Sequence, residues 1–446
     1  MQAPQPVPPA RSETKASGPE AVRRAAFQAL ARGDAERGIA AYREVLAEVP
    51  NDLDAHAQLA HAYERNHDLA AARAHAEAAL AAAARANIAR VVLARVQLRE
   101  GDYAGAEATV LPQARSEQSS LNDRAVAWGL VGDARDLAGD APGAFAAFTE
   151  ANSLALTQHR ALRDAGAQLF HPEGVRAMSA FVAQTDVAAW RPRGAFTTPA
   201  PVFLVGFPRS GTTLLDQVLS SHPAMTCLEE KDYFGRAVCE VFKRPEQLAG
   251  MGAISDADVA TVRRAYWRNV GSTAATVVVD KLPLNVVVLP LIKAVFPDAK
   301  ILVALRDPRD VVLSCFQQRF GMNVAMAQML ELDTAAAYYD AVMGLLELSR
   351  ERLDLDVHAI RYEDVVGDLE GQARAVTDFL GLPFDAAMLD YRSTALSRDI
   401  NTPSARQVIQ PLYTRSIGRW RRYAEQLAPV LPVLNGWAER YGYALA

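Results

Sequence analysis

A two-residue turn signal ending in aspartate recurs along the first part of the chain, at Gly33-Asp34, His67-Asp68, Gly101-Asp102 and Gly139-Asp140. The aspartates stand 34, 34 and 38 residues apart. Four residues after each comes a small side chain (Gly38, Ala72, Ala106, Ala144), and eight after each comes Tyr42, Ala76, Val110 or Phe148. A period of about 34 accommodates two antiparallel helices of about 13 residues with their turns, and the small residue lets the paired helices approach closely. The intervening residues are dominated by Ala, Leu, Arg and Glu, all strong helix formers. The pattern therefore predicts an α-helical solenoid over roughly residues 21–155, in about four units. Pro50 stands where the second helix of one unit should end. A plain alanine-rich bundle is the competing reading.

The periodicity resembles the tetratricopeptide repeat, although the Trp and Leu-Gly positions of that family are poorly kept. A repeat of this kind implies a surface for a polypeptide partner. His56, His61, His67 and His75 form a conspicuous row, but their spacing does not keep one helical face, and solvated side chains are expected rather than a metal site. Residues 1–20, rich in Pro, Ser, Gln and charge, predict a disordered tail, because they carry too little apolar surface to offset chain entropy.

Composition bounds the rest. With 446 residues, half of them hydrophobic, the chain has material for two or three cores at about 100–200 residues per domain. A net charge of −5 argues against a general nucleic-acid binder. Three cysteines (Cys227, Cys239, Cys315) make neither a disulfide framework nor a spaced metal cluster. The prolines of the first residues do not suit a signal peptide. The most apolar later stretch, Val286 to Phe296, is interrupted by Pro290 and Lys293 and is too short to cross a bilayer. These features predict a soluble, cytoplasmic protein in a reducing compartment, without membrane insertion.

A linker is expected at 190–201, where Pro192, Pro199 and Pro201 forbid continued helix. The predicted domains are thus a helical repeat at 21–190 and an α/β domain with a central parallel sheet at 198–446. Val202 to Val205 is an apolar run suited to a buried parallel strand. Gly206-Phe-Pro-Arg-Ser-Gly-Thr-Thr213 follows, then the helical pattern Leu214, Leu215, Val218, Leu219. Strand, glycine-bearing turn and helix start aim successive backbone N–H groups at one spot, so the loop reads as an anion cradle. Gly206 and Gly211 allow the tight turn, and Ser210, Thr212 and Thr213 add hydroxyl donors. As a Walker motif it lacks the lysine, and Arg209 precedes the second glycine instead.

The strand–turn–helix logic repeats at Lys300 to Leu305 and Arg306-Asp-Pro-Arg-Asp310, where Pro308 opens a helix carrying Ser314. Arg306 could hold a second phosphate there, and Arg309 could either assist or form an ordinary ion pair. Between the two corners, Thr276 to Asp280 predicts a strand with Lys281 at its carboxyl end, the edge where open α/β sheets bind ligands. Val357 to Ile360 predicts a further strand, with Tyr362 just beyond it.

PRSGTT (208–213) resembles the 5′-phosphosulfate loop of sulfotransferases that use 3′-phosphoadenylyl sulfate (PAPS), and LRDPRDVVLS (305–314) resembles their 3′-phosphate element. Within that group the chain is most similar to protein-tyrosine sulfotransferases, over roughly 201–442. The resemblance implies a P-loop-like sulfotransferase domain with PAPS as co-substrate and no metal. It implies Glu230 as catalytic base with Glu229 as the alternative, Lys281 and Arg209 as stabilisers of the transition state, and Ser404 as the sulfonate-stabilising serine. Cofactor contacts fall on Arg209, Ser210, Gly211, Thr212, Thr213, Arg306, Ser314 and Tyr362, with Arg419 replacing the family's late lysine. One arginine of the family falls on Gln318. Val279 stands where the secretory members have the cysteine that pairs with the counterpart of Cys227, so that bridge cannot form. Asp232 stands where they have an acceptor-binding arginine, which disfavours an acidic peptide.

The implied chemistry is self-consistent. Sulfuryl transfer asks mainly for positioning and for charge stabilisation of the leaving group. A phenol or sugar hydroxyl needs a base, which Glu230 could supply. The acceptor is expected to be a hydroxyl, on a peptide or protein held through the repeat or on a saccharide or small molecule. Further expectations are a turn role for His222, a buried inert thiol at Cys227, and either stacking on adenine or core packing for Tyr362 and Trp420. The competing functions are an ATP-dependent phosphotransferase on a variant loop and a catalytically inactive repeat adaptor.

Overall fold

The computed structural model describes residues 19–445, apart from 84–85, 167, 191–195, 197, 229, 244, 274 and 399–415. The expected tail (residues 1–18 of it), half of the expected linker, and the Glu229 and Ser404 assignments fall outside the described residues. The chain divides into two compact units at Ala147/Phe148.

The first unit is built from helix pairs: α1 (Pro19–Ala31) with α2 (Ala35–Glu48), α3 (Leu53–Arg65) with α4 (Leu69–Ala82), α5 (Asn87–Glu100) with α6 (Tyr103–Arg115), and α7 (Leu121–Leu137) with the start of α8 (Ala141–Arg163). Their lengths match the period. The recurring dipeptide closes one helix and opens the next. Gly33, His67, Gly101 and Gly139 take left-handed φ values of 84°, 63°, 84° and 89°. The amide of each following aspartate then donates five residues back, as in Asp102 N–H to Gln97 O at 2.9 Å, which satisfies carbonyls at the helix end. The aspartate carboxylates in turn accept the N–H three residues on, at Arg37, Ala71, Gly105 and Gly143, capping the second helix. His67 holds, without glycine's freedom, a conformation that L-residues rarely adopt. Ala72 and Ala106 are fully buried, and Gly38 would place an added Cβ 2.4 Å from Leu30, so the small positions are indeed the close approaches.

One expectation is corrected here. His56 and His75 are not merely solvated: their Nδ1 atoms lie 2.9 Å apart across α3 and α4, and His75 is half-buried and stacked on Tyr63. Burial, then His56 and Arg43, lower the His75 pKa. Helical facing was the wrong test, because the pair joins two helices. No cluster of three or more metal-ligating side chains occurs among the described residues.

The second unit contains a five-stranded, all-parallel sheet in the order β2-β3-β1-β4-β5, formed by β1 (Val202–Gly206), β2 (Met225–Leu228), β3 (Val277–Lys281), β4 (Lys300–Leu305) and β5 (Asp356–Arg361). β1 is buried along its whole length, which explains its unbroken apolar run. Edge strand β5 is only partly buried. Helices α9 (Pro172–Gln184), α10 (Thr212–Ser220), α11 (Tyr233–Val238), α12 (Asp256–Val270), α13 (Leu289–Val295) and α14 (Pro308–Gln317) follow in order. After them come α15 (Leu332–Arg352), α16 (Tyr362–Gly367), α17 (Leu369–Leu380) and α18 (Tyr391–Ser397). The chain leaves β1 towards β2, returns through β3 and hops over β1 to reach β4. The carboxyl end of β1 is therefore the switch point, where crevices of such sheets open. No described helix is long and apolar enough to cross a membrane.

Candidate active site

The loop after β1 is shaped by three unusual backbone positions. A Cβ on Gly206 would lie 2.6 Å from the carbonyl oxygen of Ala304 on β4, so only glycine fits beside the neighbouring strand. Arg209 has φ of 70°, which is uncommon for a residue with a side chain, and Gly211 has φ of 95°. This sequence of conformations turns the loop amides inward. Gly211 is the N-cap of α10 and supplies no side-chain cap, so the helix begins with backbone alone facing the loop. Ser210, Thr212 and Thr213 are buried around them.

The second corner follows β4. The guanidinium of Arg306 donates to Arg209 O at 3.1 Å and to Ser416 O at 2.6 Å, and it stacks on the Tyr362 ring at 4.7 Å. Its Nε is buried without a hydrogen-bond partner among the described residues. Arg209 Nε in turn donates to Ser314 Oγ at 3.0 Å. Arg209, Arg306, Ser314 and Tyr362 thus meet in one place, and the Tyr362 ring would collide with a Cβ on Gly211. Asp310 accepts the amides of Gly418 and Trp420, both at 2.7 Å, which ties the backbone around Arg419 to this corner. Burial raises the Asp310 carboxyl to about 6, with Arg306 and the two amides opposing the shift.

Two open readings close at this corner. Arg309 is not directed to a ligand: it pairs with both oxygens of Asp307 at 2.9 and 2.8 Å and donates to Asn435 and Ala444. Trp420 is buried under the Arg309 guanidinium at 4.1 Å, so it is core packing rather than a stacking platform.

Lys281 ends β3 and is 1% exposed. Its Nζ lies 2.7 Å from Glu230 Oε1 and 3.5 Å from Asp216 Oδ2 on α10. Asp216 also meets Arg398 at 3.2 Å and accepts from Ser220 Oγ at 3.1 Å. Glu230 is the exposed member of the set and borders a cavity of about 300 Å³. The cavity floor is the Pro208–Thr213 loop, and its other wall is largely apolar, with Leu282, Leu284, Phe320 and Met326 beside the polar Asn323. Asp280, one residue before the lysine, instead meets Tyr266 O–H at 3.1 Å, and burial raises its carboxyl to about 7.

Several lesser assignments find definite places. His222 bridges Pro383 O and Ala224 N–H, a turn role. Cys227 is buried and its thiol pKa is pushed up by burial. Asp232 caps α11 through Gly235 N–H. Gln318 donates to Arg319 O. Sequence reasoning missed Asp216, Arg398, Asp310 and the Phe320–Met326 wall. A signal existed for Asp216, a carboxylate inside the apolar run Leu214 to Leu219. None existed for the wall, because Phe320, Gly321, Asn323 and Met326 form no motif of their own.

Fold and site define a parallel α/β domain with an arginine-bearing phosphate-type loop at its switch point. Residues 201–386 match the model of the Sulfotransferase family, and the C-terminal region of this chain is a domain of that family. An uncharacterized protein of Aquifex aeolicus is 28% identical over 53% of this chain and 32% of its own length. Protein-tyrosine sulfotransferase A of Caenorhabditis elegans is 26% identical over 49% of this chain and 60% of its own. The chain therefore spans between about a third and three-fifths of these relatives. Among solved structures, a sulfotransferase domain from the Synechococcus PCC 7002 olefin synthase aligns over 58% of this chain and 99% of its own, with 21% identity and a TM-score of 0.40.

Proposed function

We propose that the C-terminal domain transfers a sulfonate from PAPS to an acceptor hydroxyl, with the two arginine-bearing corners holding the two phosphate-bearing ends of the nucleotide. The observation that carries this reading is the convergence of Arg209, Arg306, Ser314 and Tyr362, with Arg209 lining a cavity that Glu230, the partner of Lys281, also borders. The residues fit such a ligand. The uncapped start of α10 and its buried hydroxyls suit the 5′ end, and the partnerless Nε of Arg306 suits the 3′-phosphate. The backbone on either side of Arg419 is tied to the same corner through Asp310.

The donor, when bound, supplies an activated sulfonate and a bisphosphate leaving group. The chain's own part is orientation and charge. Loop amides, Arg209 and Lys281 stabilise the charge that grows on the leaving oxygen, and removing one such donor costs about 10²–10³ in rate. Glu230, at the cavity edge, takes the acceptor proton, a contribution of about 10²–10⁴. Only its Oε1 is held by Lys281, and on taking the proton the carboxyl becomes neutral and ceases to be a counter-charge. No step needs a metal, because these side chains supply both the charge and the base.

The largely apolar wall, with Asn323 as its polar member, favours a hydroxyl carried on an apolar group over a sugar with many hydroxyls to satisfy. The helical unit, as a repeat, suits a polypeptide carrier. Free thiols at Cys227, Cys239 and Cys315 support residence in a reducing, cytoplasmic setting.

The test is titration with adenosine 3′,5′-bisphosphate with and without metal, and with Mg-ATP. Metal-independent binding of the bisphosphate is expected, and a preference for Mg-ATP defeats the reading. Glu230→Gln should lower turnover about 10²-fold or more while bisphosphate affinity stays within about twofold. Unchanged turnover removes the base assignment.

A further inference from the structure

Lys281 faces two carboxylates. In the resting arrangement Glu230 is the nearer partner, at 2.7 Å. Once Glu230 has taken the acceptor proton its carboxyl is neutral and no longer a counter-charge for the ammonium. A buried charge left without a partner is costly, so a second carboxylate has to stay close. Asp216 is that second group. It is buried, 3.5 Å from Lys281 Nζ, and held from its other side by Arg398 and Ser220. It does not line the cavity, so it has no access to an acceptor. Arg398 itself is fixed by Ser220 Oγ at 2.6 Å and Cys227 O at 3.3 Å, which leaves Asp216 little freedom to move.

Resting on the sulfotransfer reading, we infer that Asp216 is a positioning residue. It keeps Lys281 aimed and paired while Glu230 serves the acceptor, and so divides between two carboxylates the roles of permanent and temporary counter-ion. Because Asp216 sits on the helix that begins at the phosphate-type loop, it also couples the lysine's position to that loop.

The assignment requires that Asp216 act through Lys281, and a double-mutant cycle tests this. The readout is bisphosphate release from PAPS with water as acceptor, which needs no identified acceptor, together with bisphosphate affinity and Tm. Asp216→Asn should lower kcat on the order of 10–10²-fold, with bisphosphate affinity within about twofold. In a Lys281→Met background the same change should cost less than about twofold, since residues acting as a unit are non-additive. Ser220→Ala, a milder change that frees Asp216, should give a smaller loss with the same non-additivity, and it serves if Asp216→Asn fails to fold. Equal losses in both backgrounds, or a fall in bisphosphate affinity matching the fall in kcat, overturn the Asp216 assignment and leave the sulfotransfer reading standing. A wild-type protein that does not bind the bisphosphate, or binds it and never releases it from PAPS, overturns both.

Discussion

The two corners of the sheet share one plan, a parallel strand followed by a turn and a helix, yet they solve the helix start in opposite ways. At α10 the N-cap is Gly211, which contributes no side chain. The strained Arg209 backbone turns the loop inward towards that helix start. At α14 the N-cap is Asp307, which accepts from Arg309 N–H and also pairs with the Arg309 side chain. That helix start is satisfied from within, and Arg306 is left as the corner's group for an outside anion. The first corner is suited to grip with backbone, the second with one side chain. The same local architecture can thus make a site or a strut, and the cap residue decides which.

Three substitutions break or sharpen this contrast, in decreasing order of expected effect. Arg309→Ala should destabilise the fold by about 3–5 kcal/mol, because it leaves the buried Asp307 carboxylate without its cation. Denaturant unfolding measures the loss, and bisphosphate affinity of the folded fraction should stay near wild type. A specific loss of affinity would make the second corner a two-arginine site and erase the contrast.

Arg306→Ala should weaken bisphosphate binding by about 1.5–3 kcal/mol, the range of a hydrogen bond to a charged group. Calorimetric titration with adenosine 5′-monophosphate should show little change. An equal loss for both nucleotides would move Arg306 from the 3′-phosphate to the shared part of the ligand.

A third substitution concerns a buried carboxylate with no cation partner among the described residues. Asp280 has its pKa raised to about 7, chiefly by burial. Between about pH 4 and pH 7 the folded chain therefore holds a proton that the unfolded chain has released, so stability falls as pH rises through that window. Asp280→Asn, neutral throughout, should gain stability relative to wild type as pH rises through that window and keep the gain above pH 7, with the gain vanishing near pH 4. Thermal unfolding across that range checks it. A gain that is constant with pH would mean that packing, rather than charge, is at issue.

Much of this was legible without coordinates. The 34-residue period announces itself because each Gly-Asp or His-Asp dipeptide performs two local tasks, closing one helix and capping the next, and both tasks constrain residue type directly. Strands β1, β3 and β4 were readable as apolar runs buried on both faces. The short β2 was not, since Met225 to Leu228 offers too little pattern. Arg209, Arg306, Ser314 and Tyr362 were each nominated by their place on a strand–turn–helix corner.

What tertiary structure alone decided is the division of labour among charges. Arg309 could be read as a ligand for phosphate until Asp307, Asn435 and Ala444 were seen around it. Asp216 was invisible as a partner of Lys281, because the two lie on separate elements and meet only when α10 packs beside β3. The physical reason is range. Caps, turns and buried strands depend on neighbours along the chain, so residue order determines them. A buried ion pair depends on which distant segments come within about 4 Å in a water-poor interior, and only the folded chain settles that.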